Sequence, residues 1–209
     1  MLNFWLEGGT LLTDLPEIGR GLRSLLRNHP ELKSSYKAKG ILPWKKQPDG
    51  FRGLVYIILA QQISTVVATH LVRRMNDALP EITPKRLLKT DDEKFRAMGV
   101  SSQKISYCKD LAERMAKGAF DTDSLPGMDD AAAQKTLTEL KGIGPWSAEI
   151  YLMFCLGRGN IWPAGDIALQ KGLQKIHNLK IRPTPDKARK LGQKWSPHRS
   201  AASLIVWRA

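Results

Sequence analysis

From Asp14 onward, apolar residues recur at three- and four-residue steps. Leu15, Ile18, Leu22, Leu25 and Leu26 form the first such stripe, predicting a helix that ends before Pro30. Residues 33–50, KSSYKAKGILPWKKQPDG, carry glycine, two prolines and five lysines, and read as a loop or irregular crossing. Phe51 to Ala60 is apolar on nearly all sides, with Asp49 as N-cap, so this helix is expected at the centre of the core. It runs into the polar interruption Gln61-Gln62-Ile63-Ser64-Thr65. Ser64 or Thr65 then opens a helix with Val66, Val67, Leu71, Val72 and Met75 as its buried stripe.

Further along, Thr83-Pro84 and Thr184-Pro185 each pair an N-cap with proline at the first helical position. Asp91 or Asp92 starts a helix stopped by Gly99. Ser102 caps a longer one through Met115, ended by Gly118. Asp121 to Gly127 reads as loop, and a helix resumes near Met128. The last segment, Pro197 to Trp207, places Ala201, Leu204, Ile205 and Trp207 at helical spacing. The first dozen residues, with Phe4, Trp5, Leu11 and Leu12, read as an apolar arm packing onto the body. No segment alternates with period two, so about ten helices with short connections predict an all-α fold.

Charge narrows the class of partner. The chain of 209 residues holds 33 Lys and Arg against 20 Asp and Glu, a formal charge of +13, which favours polyanions and nucleic acid first. The same balance also fits a solvated cationic surface. Two cysteines, Cys108 and Cys155, cannot build a four-cysteine zinc or iron–sulfur site, and both fall in apolar helical patterns as buried thiols. MLNFWLEGG lacks the basic start of a signal peptide, and the longest apolar run, Leu54 to Ala60, is too short to span a membrane. A reduced compartment is expected: cytoplasmic in a bacterium, nuclear in a eukaryote.

The densest chemistry lies between Leu137 and Asp166. Lys141-Gly142-Ile143-Gly144 links a helix ending near Leu140 to one starting near Pro145. Two glycines permit positive φ and close approach, and the helix start after Gly144 offers unpaired N–H groups to an anion such as phosphate. Ile143 would be the apolar plug between the helices. An ordinary αα-hairpin fits the spacing equally well. Asp166, at the start of a helix over Ile167 to Ile176, reads either as a plain N-cap or as a working carboxylate. The adjacent glutamines 61 and 62, costly to bury without partners, either cap their junction or face a ligand.

Together these stretches are recognisable. Leu140-Lys141-Gly142-Ile143-Gly144-Pro145-Trp146-Ser147-Ala148 resembles the helix-hairpin-helix of base-excision DNA glycosylases, the HhH-GPD superfamily. The loop Gly157 to Gly165 followed by Asp166 completes that pattern. Ile58-Leu59-Ala60-Gln61-Gln62-Ile63-Ser64, Trp146, and Trp195-Ser196-Pro197-His198-Arg199-Ser200 through Trp207 are similar to the 3-methyladenine DNA glycosylase II branch. The resemblance covers roughly residues 50 to 209. It implies two helical lobes flanking a DNA-binding cleft: a central lobe over 50–165, with segment 1–49 packing with the C-terminal helices of 166–209. Relatives of this branch often carry an additional N-terminal β-rich domain, so a compact form is expected.

The resemblance also implies roles. Asp166 would stabilise the oxocarbenium-like sugar formed as an N-glycosidic bond breaks, and orient the attacking water. An acidic N-cap suits that electrostatic task better than general-acid work. Trp146 and Trp207 would wall the pocket of a flipped base, with Gln61, Ile150, Tyr151 and Trp162 as further lining. A cationic N-alkylated purine over an indole face gains on the order of 1–2 kcal/mol when desolvated. Gln62 would fill the gap left in the DNA stack. Gly142, Ile143, Gly144, Lys141, Lys171 and Arg199 would hold the DNA backbone. The carbonyls of Thr138, Leu140 and Ile143 would hold Na+ or K+; no other cofactor and no iron–sulfur cluster is implied. Bifunctional relatives carry a nucleophilic lysine where Trp146 stands, so a monofunctional hydrolase acting on alkylated purines in duplex DNA, as a monomer, is expected. A glycosylase for uracil, thymine or deaminated purines on the same fold, or a non-catalytic damaged-DNA-binding hairpin protein, remain the alternatives.

Overall fold

The structure, a computed structural model, describes residues 9–41 and 43–209; Phe4 and Trp5 of the expected N-terminal arm lie outside the described residues. Twelve α-helices are present among these, with short 3-10 turns, one π-helical turn and a single isolated β-bridge between Leu11 and Lys45. The fold is all-α. The chain forms two compact units, one from residues 47–151 and the other from 10–46 with 152–209. The division falls after Tyr151, not at residue 165, because the helix that starts after the hairpin runs on without a loop as the π-helical turn Tyr151–Cys155.

The unit of residues 47–151 is built around α3 (Gly50–Ala60), whose residues 54–59 are all at most 1% exposed. Burying each such side chain contributes roughly 1.5–3 kcal/mol, which explains why an all-round apolar helix takes the centre. Its one polar tip is satisfied: the Tyr56 hydroxyl accepts from Arg52 Nε at 2.7 Å and donates to Asn76 Oδ1 at 2.5 Å. Around it pack α4 (Thr65–Ala78), α7 (Ser102–Ala116), α9 (Pro145–Ile150) and the 3-10 turn Thr122–Gly127, the segment expected as loop. Short helices α5 (Pro84–Leu88) and α6 (Asp92–Ala97) lie on α7, and α8 (Asp130–Thr138) pairs with α9.

The caps are largely those expected. Ser64 accepts from the amide of Val67 and Thr83 from that of Arg86, whereas α7 is capped by Ser101, one residue before the serine expected. The stripe on α4 is rotated from the expected one. Ala68, Leu71, Val72 and Met75 are buried, while Val66 is 65% and Val67 45% exposed, because both lie in the first turn beside the polar junction.

The second unit pairs the N-terminal stretch with the C-terminal helices. α1 (Pro16–Asn28) packs on α2 (Pro30–Lys39) and α12 (Arg199–Val206). α2 takes in residues 33–39, the first part of the segment expected as loop. Pro30 ends one helix and opens the next at its first position, where its missing N–H has no intrahelical role. Only Leu32 of this polar helix is buried, so it leaves almost no periodic signal. α10 (Ile167–Ile176) crosses α12 very closely: a Cβ on Gly172 would lie 1.9 Å from the Val206 carbonyl oxygen. α11 (Pro185–Gly192), capped by Thr184, completes the unit.

Candidate functional site

In the first unit, α8 ends at Thr138 and the chain turns over residues 139–144 into α9. The turn closes with the Ile143 amide donating to the Leu140 carbonyl at 3.1 Å, and the Ile143 side chain is buried. Gly142 has φ +82°, and a Cβ there would meet the Tyr107 ring at 2.2 Å. Both left-handed backbone and direct ring contact therefore demand glycine. Gly144 caps α9 in extended backbone and is exposed, with nothing within 4 Å of where a side chain would be; Pro145 takes the first helical position. The exposed amide end of the hairpin suits an anion.

The other wall of this region is the end of α3. The Gln61 side-chain amide donates to the Gly142 carbonyl at 2.7 Å and to Ser147 Oγ at 3.0 Å. Gln61 is thus tied to the hairpin, where a pocket-lining role alone was expected. Gln62 beside it is exposed with φ +56°, and only Asn178 shares positive φ among the described non-glycine residues. A left-handed non-glycine residue costs on the order of 1 kcal/mol and persists where its surroundings enforce it. Lys104 Nζ donates to the Leu59 carbonyl at 2.6 Å, and Gln103 Nε2 to the Tyr107 hydroxyl at 2.8 Å. Burial holds the Lys104 ammonium below the usual lysine range and pushes the Cys108 thiol, one turn on, up to about 12. A pocket of about 270 Å³ is lined by Gln61, Gln62, Lys104, Tyr107 and half-buried Trp146, among others.

Tyr107, Lys104, Gln103 and Ser147 were not singled out by the sequence. Lys104, Ser147 and Tyr107 meet Leu59, Gln61 and Gly142, all distant in the chain, and only the i,i+4 pair Gln103–Tyr107 leaves a local trace. Lys141 on the hairpin donates from Nζ to Ser106 Oγ at 3.0 Å, so its ammonium is placed by α7. Ile150 and Tyr151, expected to line the pocket, are at most 1% exposed, and the Tyr151 hydroxyl accepts the Gly50 amide at 2.9 Å. They are core: the face of the helix that carries them is buried in the body.

In the second unit, Asp166 is the N-cap of α10. Its Oδ1 accepts two N–H groups, the Leu169 amide at 2.8 Å and the Trp207 indole Nε1–H at 2.9 Å. Trp207 is half-buried and stacks on Trp44, with centroids 5.2 Å apart and planes 22° from parallel; Phe154 tilts against both. The tryptophan expected as a pocket wall therefore grips the carboxylate by its N–H. Trp44, from the segment expected as loop, is buried and backs it.

The loop leading to Asp166 is pinned from several sides. Ser200 Oγ donates to the Arg158 carbonyl at 2.6 Å and accepts the Ile161 amide at 3.0 Å; the Gly159 amide reaches Glu17 Oε2 at 3.0 Å. Arg199 Nε donates to Asn160 Oδ1 at 2.8 Å, so part of that side chain is occupied within the fold. Lys171 is exposed on α10. Trp162 is a core residue, not a pocket wall: it is 4% exposed, donates to the Ala188 carbonyl, and packs against Trp195 and Gly192, where a Cβ would lie 2.4 Å from its ring. Among the described residues no group of three or more His, Cys, Asp or Glu is placed to hold a metal ion.

Asp166 is thus a carboxylate fixed by two N–H donors, and the hairpin presents glycine amides at its turn. YfjP of Bacillus subtilis is 32% identical over 160 residues, which is 73% of this chain and 56% of that protein, so the chain spans little more than half the relative's length. DNA-3-methyladenine glycosylase 1 of Schizosaccharomyces pombe is 30% identical over 170 residues, 78% of this chain and 73% of the relative. The solved structure of the 3-methyladenine DNA glycosylase Mag1 from the same yeast, in complex with abasic DNA, superposes with a TM-score of 0.82 at 26% identity, covering 90% of this chain and 95% of that one. The pattern of the HhH-GPD superfamily base excision DNA repair proteins matches residues 55–198, from the buried heart of α3 to the turn before α12. This chain belongs to that superfamily.

Proposed function

We propose that this protein is a monofunctional DNA glycosylase that removes alkylated purines, of the 3-methyladenine and 7-methylguanine type, from duplex DNA and leaves an abasic site. The observation that carries the reading is Asp166, a carboxylate held by the fold on a helix N-terminus and on the Trp207 indole N–H. The C1′–N bond breaks with its electron pair leaving on the base. An alkylated purine is already cationic and departs neutral, so no strong general acid is required. Positive charge then grows on the sugar, where a carboxylate with a fixed plane stabilises it without reorganising. Water adds to C1′, and its proton is lost as the new C–O bond forms, with Asp166 as the acceptor in reach of that role.

The rest of the chain serves positioning. The amides of Gly142 and Gly144 meet phosphate, with Lys141, Lys171 and Arg199 adding charge; such contacts give affinity without sequence choice and weaken with salt. Gln62, exposed and left-handed at its turn, fills the gap left by the flipped base and can hydrogen-bond the orphan partner. Trp146 lends an indole face to the base. It stands where an amine would be needed for strand cleavage, so no Schiff base forms. The carbonyls of Thr138, Leu140 and Ile143 lie in and around one turn, and neutral oxygens of this kind suit Na+ or K+. A monovalent ion there would add positive charge beside the bound phosphate. The protein acts as a monomer on DNA in this reading.

The test is Asp166→Asn. Asparagine keeps the cap acceptor and loses the charge, so the fold and DNA affinity should persist while release of 3-methyladenine falls by about 100-fold or more. Release at the wild-type rate would overturn the assignment.

A further inference from the structure

We propose that Gln61 is a positioning residue that locks the Gln62 turn to the hairpin, so that the element filling the DNA stack and the element holding the backbone are set by one side chain. The proposal rests on the glycosylase reading and deepens it. Gln61 Nε2 has two protons, and both are used: one on the Gly142 carbonyl at 2.7 Å, the other on Ser147 Oγ at 3.0 Å. These partners are 81 and 86 residues away in sequence, on the turn of the hairpin and in the first turn of α9.

The places joined are unusual in their backbone. Gln62, directly after Gln61, has φ +56°, and Gly142, whose carbonyl Gln61 holds, has φ +82°. Two left-handed positions thus sit at the two ends of one glutamine. At Gln62 that conformation needs an external hold. A second hold comes from α7: Lys104 Nζ fixes the Leu59 carbonyl in the last turn of α3, and the Tyr107 ring fills the space against Gly142. The exit of α3 is therefore clamped on both sides, and the exposed Gln62 side chain leaves the protein from a fixed point.

Gln61 consequently acts on the step in which the stack is opened and filled. A lesion already outside a stack does not need that step. The experiment compares excision of 7-methylguanine paired with cytosine in duplex DNA against the same base unpaired in a one-nucleotide bulge. It uses the full chain carrying Gln61→Met, which matches the length of glutamine without its donors, or Ser147→Ala, which removes one of the two acceptors. With Gln61→Met, kcat should fall about 10-fold or more further on the paired lesion than on the bulged one, with KM on the paired lesion nearly unchanged. Ser147→Ala should fall between the two on the paired lesion. Equal loss on both substrates, or no loss on either, overturns the proposal, the first because it marks a merely structural role. A wild-type protein that releases base from neither substrate would instead overturn the glycosylase reading.

Discussion

On the proposed reading, Asp166 is both architecture and chemistry in a single side chain. Replacing it by alanine would remove a cap worth about 1 kcal/mol as well as a charge, which is why asparagine is the cleaner probe. His177 offers a different kind of test. Its ring stacks on Trp195, and its Nε2 is buried without a hydrogen bond. Burial first, and then the nearby Lys194 ammonium, hold its pKa below the ordinary 6.5, with Glu31 pulling the other way. Between that lowered value and 6.5 the unfolded chain binds more protons than the folded one. Stability is therefore lost as pH falls through the window, and the loss levels off below it. His177→Phe keeps the stacking and removes the titration, so the drop in urea midpoint between pH 8 and pH 5 should be smaller in the variant than in wild type.

At the scale of elements, close crossings decide which positions are intolerant. Gly172 lies against the backbone of α12, so Gly172→Ala must push the two helices apart, and should cost about 3 kcal/mol in denaturant unfolding. Helix boundaries were legible where the signal is local. Asp166 and Ile167–Ile176, the two Thr-Pro starts, and the apolar run of α3 each announce themselves within a few residues. Elements and contacts set by partners were not. α2 carries one buried leucine, so its helical period is invisible, and the stripe on α4 depends on where the helix meets the body. Ile150, Tyr151 and Trp162 were drawn to the pocket by their nearness to recognisable motifs, yet packing puts all three in the core. Tyr107 and Lys104, which brace the hairpin and the end of α3, meet those elements only through contacts distant in sequence.

Over the whole molecule, the two units differ in how they are assembled from the chain. The long stretch 47–151 makes up nearly all of the described part of one, while the other needs 10–46 together with 152–209. Its core unites Leu12, Ile18, Leu25 and Leu32 from the first stretch with Leu204 and Ile205 from the second, all at most 1% exposed. A fragment of 152–209 alone would leave that apolar surface in water. It should show no cooperative thermal transition by circular dichroism, whereas a 47–151 fragment should melt cooperatively.

The double hold on Asp166 has a practical side. Because the carboxylate is set by the fold, exchanging one of its oxygens for an amino group would, on the glycosylase reading, alter the chemistry while leaving the rest of the scaffold in place. A protein changed in this way would stay on the damaged base it cannot release. On that reading, one substitution would turn a glycosylase into a reagent that marks where alkylation has occurred.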